Sequence, residues 1–499
     1  MKNIVKVFLL AGFVGLASTS FTACSLDSID SNTKDNEKFP IKSVEELAAS
    51  LNGSYARMAA ETYYGRDIIA FSESRSSYMY STDETGRFGS ISGFTILPTH
   101  AYSLDTWGQV YRVISNTNRV IEADIEENNT VKYYKGQAYV LRAIAHYDLV
   151  RLYGEQYVGG LGLNALGVPY KTSFLDIDEK ISRPTVRENQ KSILADLEKG
   201  IKMMTEAEKA IGVGSRVRLN VASAYGFKSR IALFFSKYDA SMLNVVVESS
   251  AKVMELAPSS NVAVMSRSSF LDAYKGDGIM SNSLFELAQS GTDNLSTNSL
   301  FYIYSLDGYG DLVCMEDSVI DIFPELEGDL SVDDIRSEIV GLDEDEDNIR
   351  NLGKYTVRTS NIRVMRIEEI MMNYIEATLK GASNGNNALA LDYLNAIVSQ
   401  RVTLQKPQVG TEVRPSAVAK KYTTLTFEDY KKERVRELMF EGFAYEDIMR
   451  WGGEVSNPKS EVNKLLSNGK VVFGDKFAAF PIPQSEINVS KIEQNQAYK

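Results

Sequence analysis

The sequence predicts a mainly helical protein, a scaffold of paired amphipathic helices interrupted by two long loop-rich excursions. Three observations carry this expectation. Apolar residues recur in steps of three and four over most of the chain after Trp107. The helical patterns arrive in consecutive couples with short breaks between them. Two stretches, about 61–106 and about 258–360, lack that period but are rich in tyrosine and phenylalanine. Disordered loops are poor in aromatics, so both excursions are expected to be folded. Residues 43–499 read as a single domain, with a helical part over about 43–257 and a loop-rich and C-terminal part over about 258–499.

The N-terminus reads as an address and an anchor. Lys2 and Lys6 precede an apolar stretch, Val7 to Ala17, which has the length of a signal-peptide core and is too short to span a bilayer. The "FTAC" that follows resembles a bacterial lipobox. That resemblance implies cleavage before Cys24 and acylation, palmitate included, of its thiol and new amine. More than one acyl chain is what stable anchoring requires. A plain secretory signal that happens to hold a cysteine is the other reading. Residues 1–23 are thus expected to be a lipoprotein signal peptide. Residues 24–42 are expected to be a lipid-anchored flexible tether, since "SLDSIDSNTKDNEK" is poor in large hydrophobes. Asp27 and Asp30 resemble the acidic surface-export signal of Bacteroidota lipoproteins. No later stretch stays apolar for about eighteen residues, so the body is expected outside the bilayer.

The helices follow in order. Trp107, Tyr111, Ile114, Asn118 and Ile121 share one helix face; the buried Asn118 must find backbone partners. The next helix puts Ala138, Leu141, Ala145, Leu149 and Leu152 on one face, with small alanines that admit a close neighbour and Gly154 as its stop. Thr185 with Glu188 has capping-box spacing ahead of a third helix. "NVASAYGFKSRIALFF" and "LNVVVESSAKVMEL" make a couple ended by Pro258. "RIEEIMMNYIEATLK" and "NNALALDYLNAIVSQR" make another, joined by "GASNGNN". Such couples resemble divergent tetratricopeptide pairs. The run Arg434–Gly453, "RVRELMFEGFAYEDIMRWGG", reads as one further helical stretch.

Composition excludes several classes. The formal net charge of −12 leaves no basic face for nucleic acid. Two cysteines, Cys24 and Cys314, and two histidines, His100 and His146, supply no close ligand set for zinc, and no metal or cofactor is expected. "DEDEDN" at 343–348 resembles the start of a calcium loop, but has Asn348 at the sixth place and Lys354 at the twelfth. A solvated acidic loop is the better reading. No nucleophile elbow, Walker or dinucleotide motif is present.

The stretch "ERVRELMFEGFAYEDIMRWG" resembles the C-terminal signature of the SusD/RagB family of outer-membrane nutrient-binding lipoproteins. The matching positions are Arg436, Glu437, Leu438, Phe440, Glu441, Gly442, Asp447, Ile448, Arg450 and Trp451. Ala444 stands where the family often has arginine. "WGQVYRVISNTNRVIE", "GQAYVLRAIAHYDLVRLYGE", "RIEEIMMNYIEA" and the closing "FPIPQSEINVSKIEQNQAY" agree with the family in the same order. The resemblance implies a SusD-like fold, with a tetratricopeptide-type scaffold and loops that form the ligand face. It also implies docking onto a SusC-type TonB-dependent transporter and a bound glycan, occasionally a peptide, with no catalysis.

Glu437 or Glu441 with Asp447 form the only pairing here that suggests a glycosidase acid pair. Set at successive i+4 positions among arginines, Glu433, Glu437 and Glu441 read better as ion-paired helix cement. For a ligand, aromatic rings suit the apolar faces of sugars and planar polar groups suit their hydroxyls. The first excursion offers Tyr78, Tyr80, Asp83, Arg87 and Tyr102, and the second offers Tyr302, Tyr304 and Tyr309. An ion pair between Asp83 and Arg87, and tyrosines packed inside their own loops, are the competing readings. An oligopeptide binder, a glycoside hydrolase and a tetratricopeptide adaptor remain as alternative functions.

Overall fold

Helix α4 (Asn129–Tyr153) is buried along nearly its whole second half, and its neighbours explain why. The fold is described from a computed structural model covering residues 40–174, 181–327, 332–343, 348–405 and 415–499. The signal peptide, Cys24 and nearly all of the expected tether lie outside the described residues, as do residues 344–347 of the acidic stretch. Helix α1 (Val44–Met58) packs on α3 (Ala101–Glu122), and α3 on α4. Then α4 packs on α5 (Val186–Ile211), α5 on α6 (Val221–Phe235) and α6 on α7 (Met242–Leu256). The series continues through α8 (Ile367–Leu379) onto α9 (Asn387–Val398). Each of these helices thus rests on the next in the series, as repeat scaffolds do.

Local chemistry sets the joints. Gly136 and Gly200 mark the α4–α5 crossing. A Cβ on Gly200 would lie 2.6 Å from the Gly136 carbonyl oxygen, so no larger residue fits. Ala138, Ala143 and Ala145 are fully buried along the same helix. Thr185 and Glu188 form the expected capping box at the start of α5. Asn118 finds backbone partners, donating to the Lys171 and Ser173 carbonyls at 3.3 and 3.0 Å and accepting from Arg142 at 2.8 Å. His146 is a core residue. Its Nδ1 donates to the Arg142 carbonyl at 2.9 Å, and its Nε2 accepts from the Lys171 amide at 3.0 Å. Burial pushes its pKa down to about 3, which keeps it neutral.

The excursions are folded, with strands that join distant segments. Strand β1 (Met79–Ser81) pairs antiparallel with β3 (Leu312–Cys314), Tyr80 opposite Val313. Strand β2 (Ser283–Leu287) pairs with β7 (Ile362–Arg366), and β4 (Val332–Asp334) pairs with β8 (Val402–Gln405), which also pairs with β9 (Pro415–Ala419). Strand β5 (Val340–Leu342) pairs with β6 (Ile349–Asn351). Helix α2 (Asp67–Ser74) lies within the first excursion, fully buried.

The signature is not one helical run. It forms α10 (Phe427–Leu438) and α11 (Ala444–Trp451) around a turn in which Phe440 has φ 72° and Gly442 φ 84°. Glu441 lies past the end of α10, so it does not stand one helical turn from Glu437. Among the described residues no helix is long and apolar enough to cross a membrane. Cys314 is a buried free thiol.

Candidate ligand-binding face

The β1–β3 pairing brings the two excursions together. The Thr82 amide donates to the Asp311 carbonyl at 2.8 Å, and the Met315 amide to the Tyr78 carbonyl at 2.8 Å, extending the ladder at both ends. Asp311 then holds the loop after β1. Its carboxylate accepts from the Thr85 amide at 3.0 Å and from the Thr85 hydroxyl. Arg87 donates to the Thr85 carbonyl and hydroxyl at 3.2 and 3.0 Å.

The guanidinium of Arg87 lies 3.3 Å from the centre of the Tyr309 ring, a cation–π contact between the two excursions. Tyr302 stands beside Tyr309, ring centres 6.1 Å apart, and its carbonyl accepts the Tyr309 amide at 2.5 Å. Tyr80, Arg87, Tyr302 and Tyr309 are all half-buried, so each keeps surface open to solvent. Next to them is a cleft of about 210 Å³, walled by Tyr304, Tyr355 and Arg350 and rimmed by Leu306 and Leu352, which are 42% and 48% exposed. Arg350 is fixed there by Asp343 at 2.6 Å and by donation to the Gly310 carbonyl.

The other expected ligand residues fall elsewhere. Asp83 is exposed and does not pair with Arg87. It has φ 65°, and its carboxyl sits over Gly89, where a Cβ would lie 2.1 Å away. Tyr102 lies in the first turn of α3 and packs back on the preceding loop, stacked with Phe88 at 4.8 Å and with His100 at 5.2 Å. Its hydroxyl accepts from the Phe88 amide at 3.3 Å, and burial raises its pKa to about 12. Tyr304 is only 2% exposed, stacked on Tyr355 at 5.9 Å, so it forms wall and offers no free ring. Tyr78 is half-buried and faces a separate groove. Arg350, Leu306 and Leu352 were not singled out in the sequence, because nothing local distinguishes them from any other loop residues.

The acidic signature is a buried ion network. Glu437 is fully buried and accepts from Arg366 at 3.0 Å, from Arg401 at 3.1 Å and from Arg336 at 3.4 Å. Glu433 pairs with Arg336 at 2.6 Å and Arg436 at 3.0 Å. Glu441 pairs with Lys354 at 2.5 Å and Arg366 at 2.8 Å, and Asp447 with Arg434 at 2.5 Å and Arg450 at 2.6 Å. Burial alone would raise the Glu437 and Glu433 pKa values. The surrounding guanidiniums overcome it, holding Glu437 well below the carboxylate range and Glu433 down to about 2. A general acid needs a raised pKa and a reachable substrate. Glu433 and Glu437, fully buried, have neither, and they act as cement between α8, α10 and the loops.

Glu73, absent from the sequence reading, ties α2 to the signature turn. Its Oε1 accepts from the Gly442 and Phe443 amides at 2.7 and 3.2 Å. Burial raises its pKa to about 7 despite those bonds.

A stacked-helix scaffold thus carries a loop-built face of aromatic and charged side chains. The comparisons name the class. A family model described as starch-binding, associating with the outer membrane, matches residues 26–233, and the SusD family model matches residues 350–498. The chain belongs to the SusD/RagB family. It is 27% identical over 194 residues to the SusD-like protein P2 of Formosa agariphila, a match covering 37% of this chain and 36% of that protein's length. Its fold is similar to that of a SusD superfamily protein of Bacteroides thetaiotaomicron, with TM-score 0.77, 22% identity, and coverage of 91% of this chain and 99% of the other. It is also similar to surface glycan-binding protein A of Bacteroides fluxus, with TM-score 0.68, 20% identity, and coverage of 92% and 100%.

Proposed function

We propose that this protein is a non-catalytic glycan-binding lipoprotein, anchored through Cys24 on the outer surface of the outer membrane, that passes its ligand to a SusC-type transporter. The observation that carries the binding reading is the Arg87–Tyr309 contact beside Tyr302 and the 210 Å³ cleft. A flat ring takes the apolar face of a sugar, and a guanidinium fixed by its own loop takes hydroxyls with little further ordering. The family descriptions support the ligand class and the membrane, and the family's partner supports the transporter. Calorimetry with a panel of oligosaccharides tests it. Binding should weaken by about 1–3 kcal/mol in Tyr309→Ala and Arg87→Ala. Binding of cationic oligopeptides with no glycan bound would transfer the site to the peptide alternative. Recovery of the protein without any TonB-dependent transporter after mild detergent extraction would remove the delivery step.

A further inference from the structure

A second groove, of about 680 Å³, opens at the other end of the β1–β3 ladder, where the Met315 amide meets the Tyr78 carbonyl. Its walls are Ser77 and Tyr78 just ahead of β1, the short helix Glu316–Ile322 that follows β3, and the outer sides of α10 and α11. Trp451 and Tyr78 are its two aromatic side chains, both half-buried. Trp451 is held from behind. Phe427 and Tyr430 meet it edge-on, each at 6.4 Å, Arg450 lies over its ring at 5.8 Å, and its Nε1 donates to Glu376 at 3.2 Å. The ring is therefore fixed before any ligand arrives. Tyr78 makes no side-chain hydrogen bond among the described residues. Burial raises its pKa to about 12, so its hydroxyl stays a donor at neutral pH.

The rim carries Ser77, Ser318 and the exposed ion pairs Asp321–Lys432 at 3.3 Å and Glu428–Lys431 at 2.7 Å. Exposed pairs of this kind are worth little, so their members can turn to sugar hydroxyls at small cost. The groove and the ligand face stand at opposite ends of one short ladder, the first by the Tyr78–Met315 bond and the second by the Thr82–Asp311 bond. Tyr78 and Tyr80 flank the buried Met79, so both side chains leave the same side of the strand, about 7 Å apart along it.

We propose that this groove is a second subsite for the same ligand, in which Trp451 and Tyr78 receive the far part of an oligosaccharide whose near part lies at Arg87 and Tyr309. The inference rests on the glycan reading given above and adds that length is read: long chains engage Trp451, short ones do not.

The chain has two tryptophans, and the other, Trp107, is 4% exposed. A Trp107→Phe background therefore makes tryptophan emission a report on this groove alone. Maltotriose, maltoheptaose, xylotriose and xylohexaose are the probes, followed by fluorescence, acrylamide quenching and calorimetry. The longer member of whichever series binds should shift Trp451 emission and protect it from acrylamide, and its trisaccharide should do neither. Ser318→Arg, which fills the groove from an exposed helix, should weaken the longer sugar about tenfold and leave the trisaccharide unchanged. Trp451→Ala is a poorer probe, since it also removes packing on Phe427 and Tyr430. A longer sugar that binds with Trp451 unperturbed and with equal affinity in Ser318→Arg overturns the second subsite and leaves the proposed function standing. No heat with any of the four sugars, or with the wider oligosaccharide panel, overturns both.

Discussion

Tyr304 and Tyr309 are five residues apart, and their exposure separates their expected roles. Tyr309 is half-buried beneath Arg87 and belongs to no fully buried layer, so Tyr309→Ala should leave the melting temperature nearly unchanged while binding falls. Tyr304 is core, and Tyr304→Ala should cost about 3–5 kcal/mol in chemical denaturation. Glu437→Gln should also be costly, by about 3–5 kcal/mol, because it leaves Arg366, Arg401 and Arg336 buried around a neutral group. The same network sets the acid limit. Glu433 and Glu437 have folded pKa values below their unfolded value, about 4.3. Their stabilisation is therefore fully present above that pH and is lost as pH falls toward about 2, which a denaturation series should show as a steep decline. Glu73 behaves oppositely. Its folded pKa is raised to about 7, so its contribution is fully present below the unfolded value and is lost as pH rises through 7. Across that window the loss is on the order of 4 kcal/mol. Glu73→Gln keeps an acceptor for the Gly442 amide and should flatten this part of the stability–pH curve. A variant with the wild-type slope between pH 5 and 8 would show that Glu73 is not the group responsible.

At the scale of elements, the helices were legible and the joints between loops were not. The steps of three and four, the Thr185 capping box and the Asn118 requirement depend on residues within one or two turns, and the structure agrees with each. The β1–β3 ladder joins residues 79–81 to 312–314, and no local pattern announces a three-residue strand or its partner. Tyr80 and Tyr309 were therefore chosen as ring-bearing loop residues without any means of knowing that their loops meet. The signature misled in one respect. Its carboxylates at four-residue spacing read as a single helix face, yet the chain turns at Phe440 and Gly442 so that Glu73 can bind two freed amides. Backbone geometry makes Gly442 hard to replace. Gly442→Ala would carry a Cβ at φ 84°, 2.9 Å from the Ile69 Cα, and should destabilise by at least about 1–3 kcal/mol. Equal melting temperatures for this variant and the wild type would contradict the turn as described.

At the scale of the whole molecule, anchor and body separate cleanly in their predicted effects. The described core begins at Ile41, and none of the ion network, the β1–β3 ladder or the Arg87–Tyr309 contact involves a residue before it. Stability and glycan affinity should then be independent of whether the N-terminus is acylated. Membrane attachment should depend on it, since acyl chains would supply the anchor and among the described residues no helix is long and apolar enough to cross a membrane. Cys24→Ala, expressed with its signal sequence intact, should move the protein from the outer-membrane fraction to the soluble fraction. The soluble form should keep the wild-type melting temperature and oligosaccharide affinity. Transport in cells should fall even so, because a binder tethered beside its transporter works at a high effective concentration that a freely diffusing one lacks. Full retention of Cys24→Ala in the outer membrane would reject the lipid anchor. Release with undiminished uptake would reject the tethered delivery step and leave the binding face untouched.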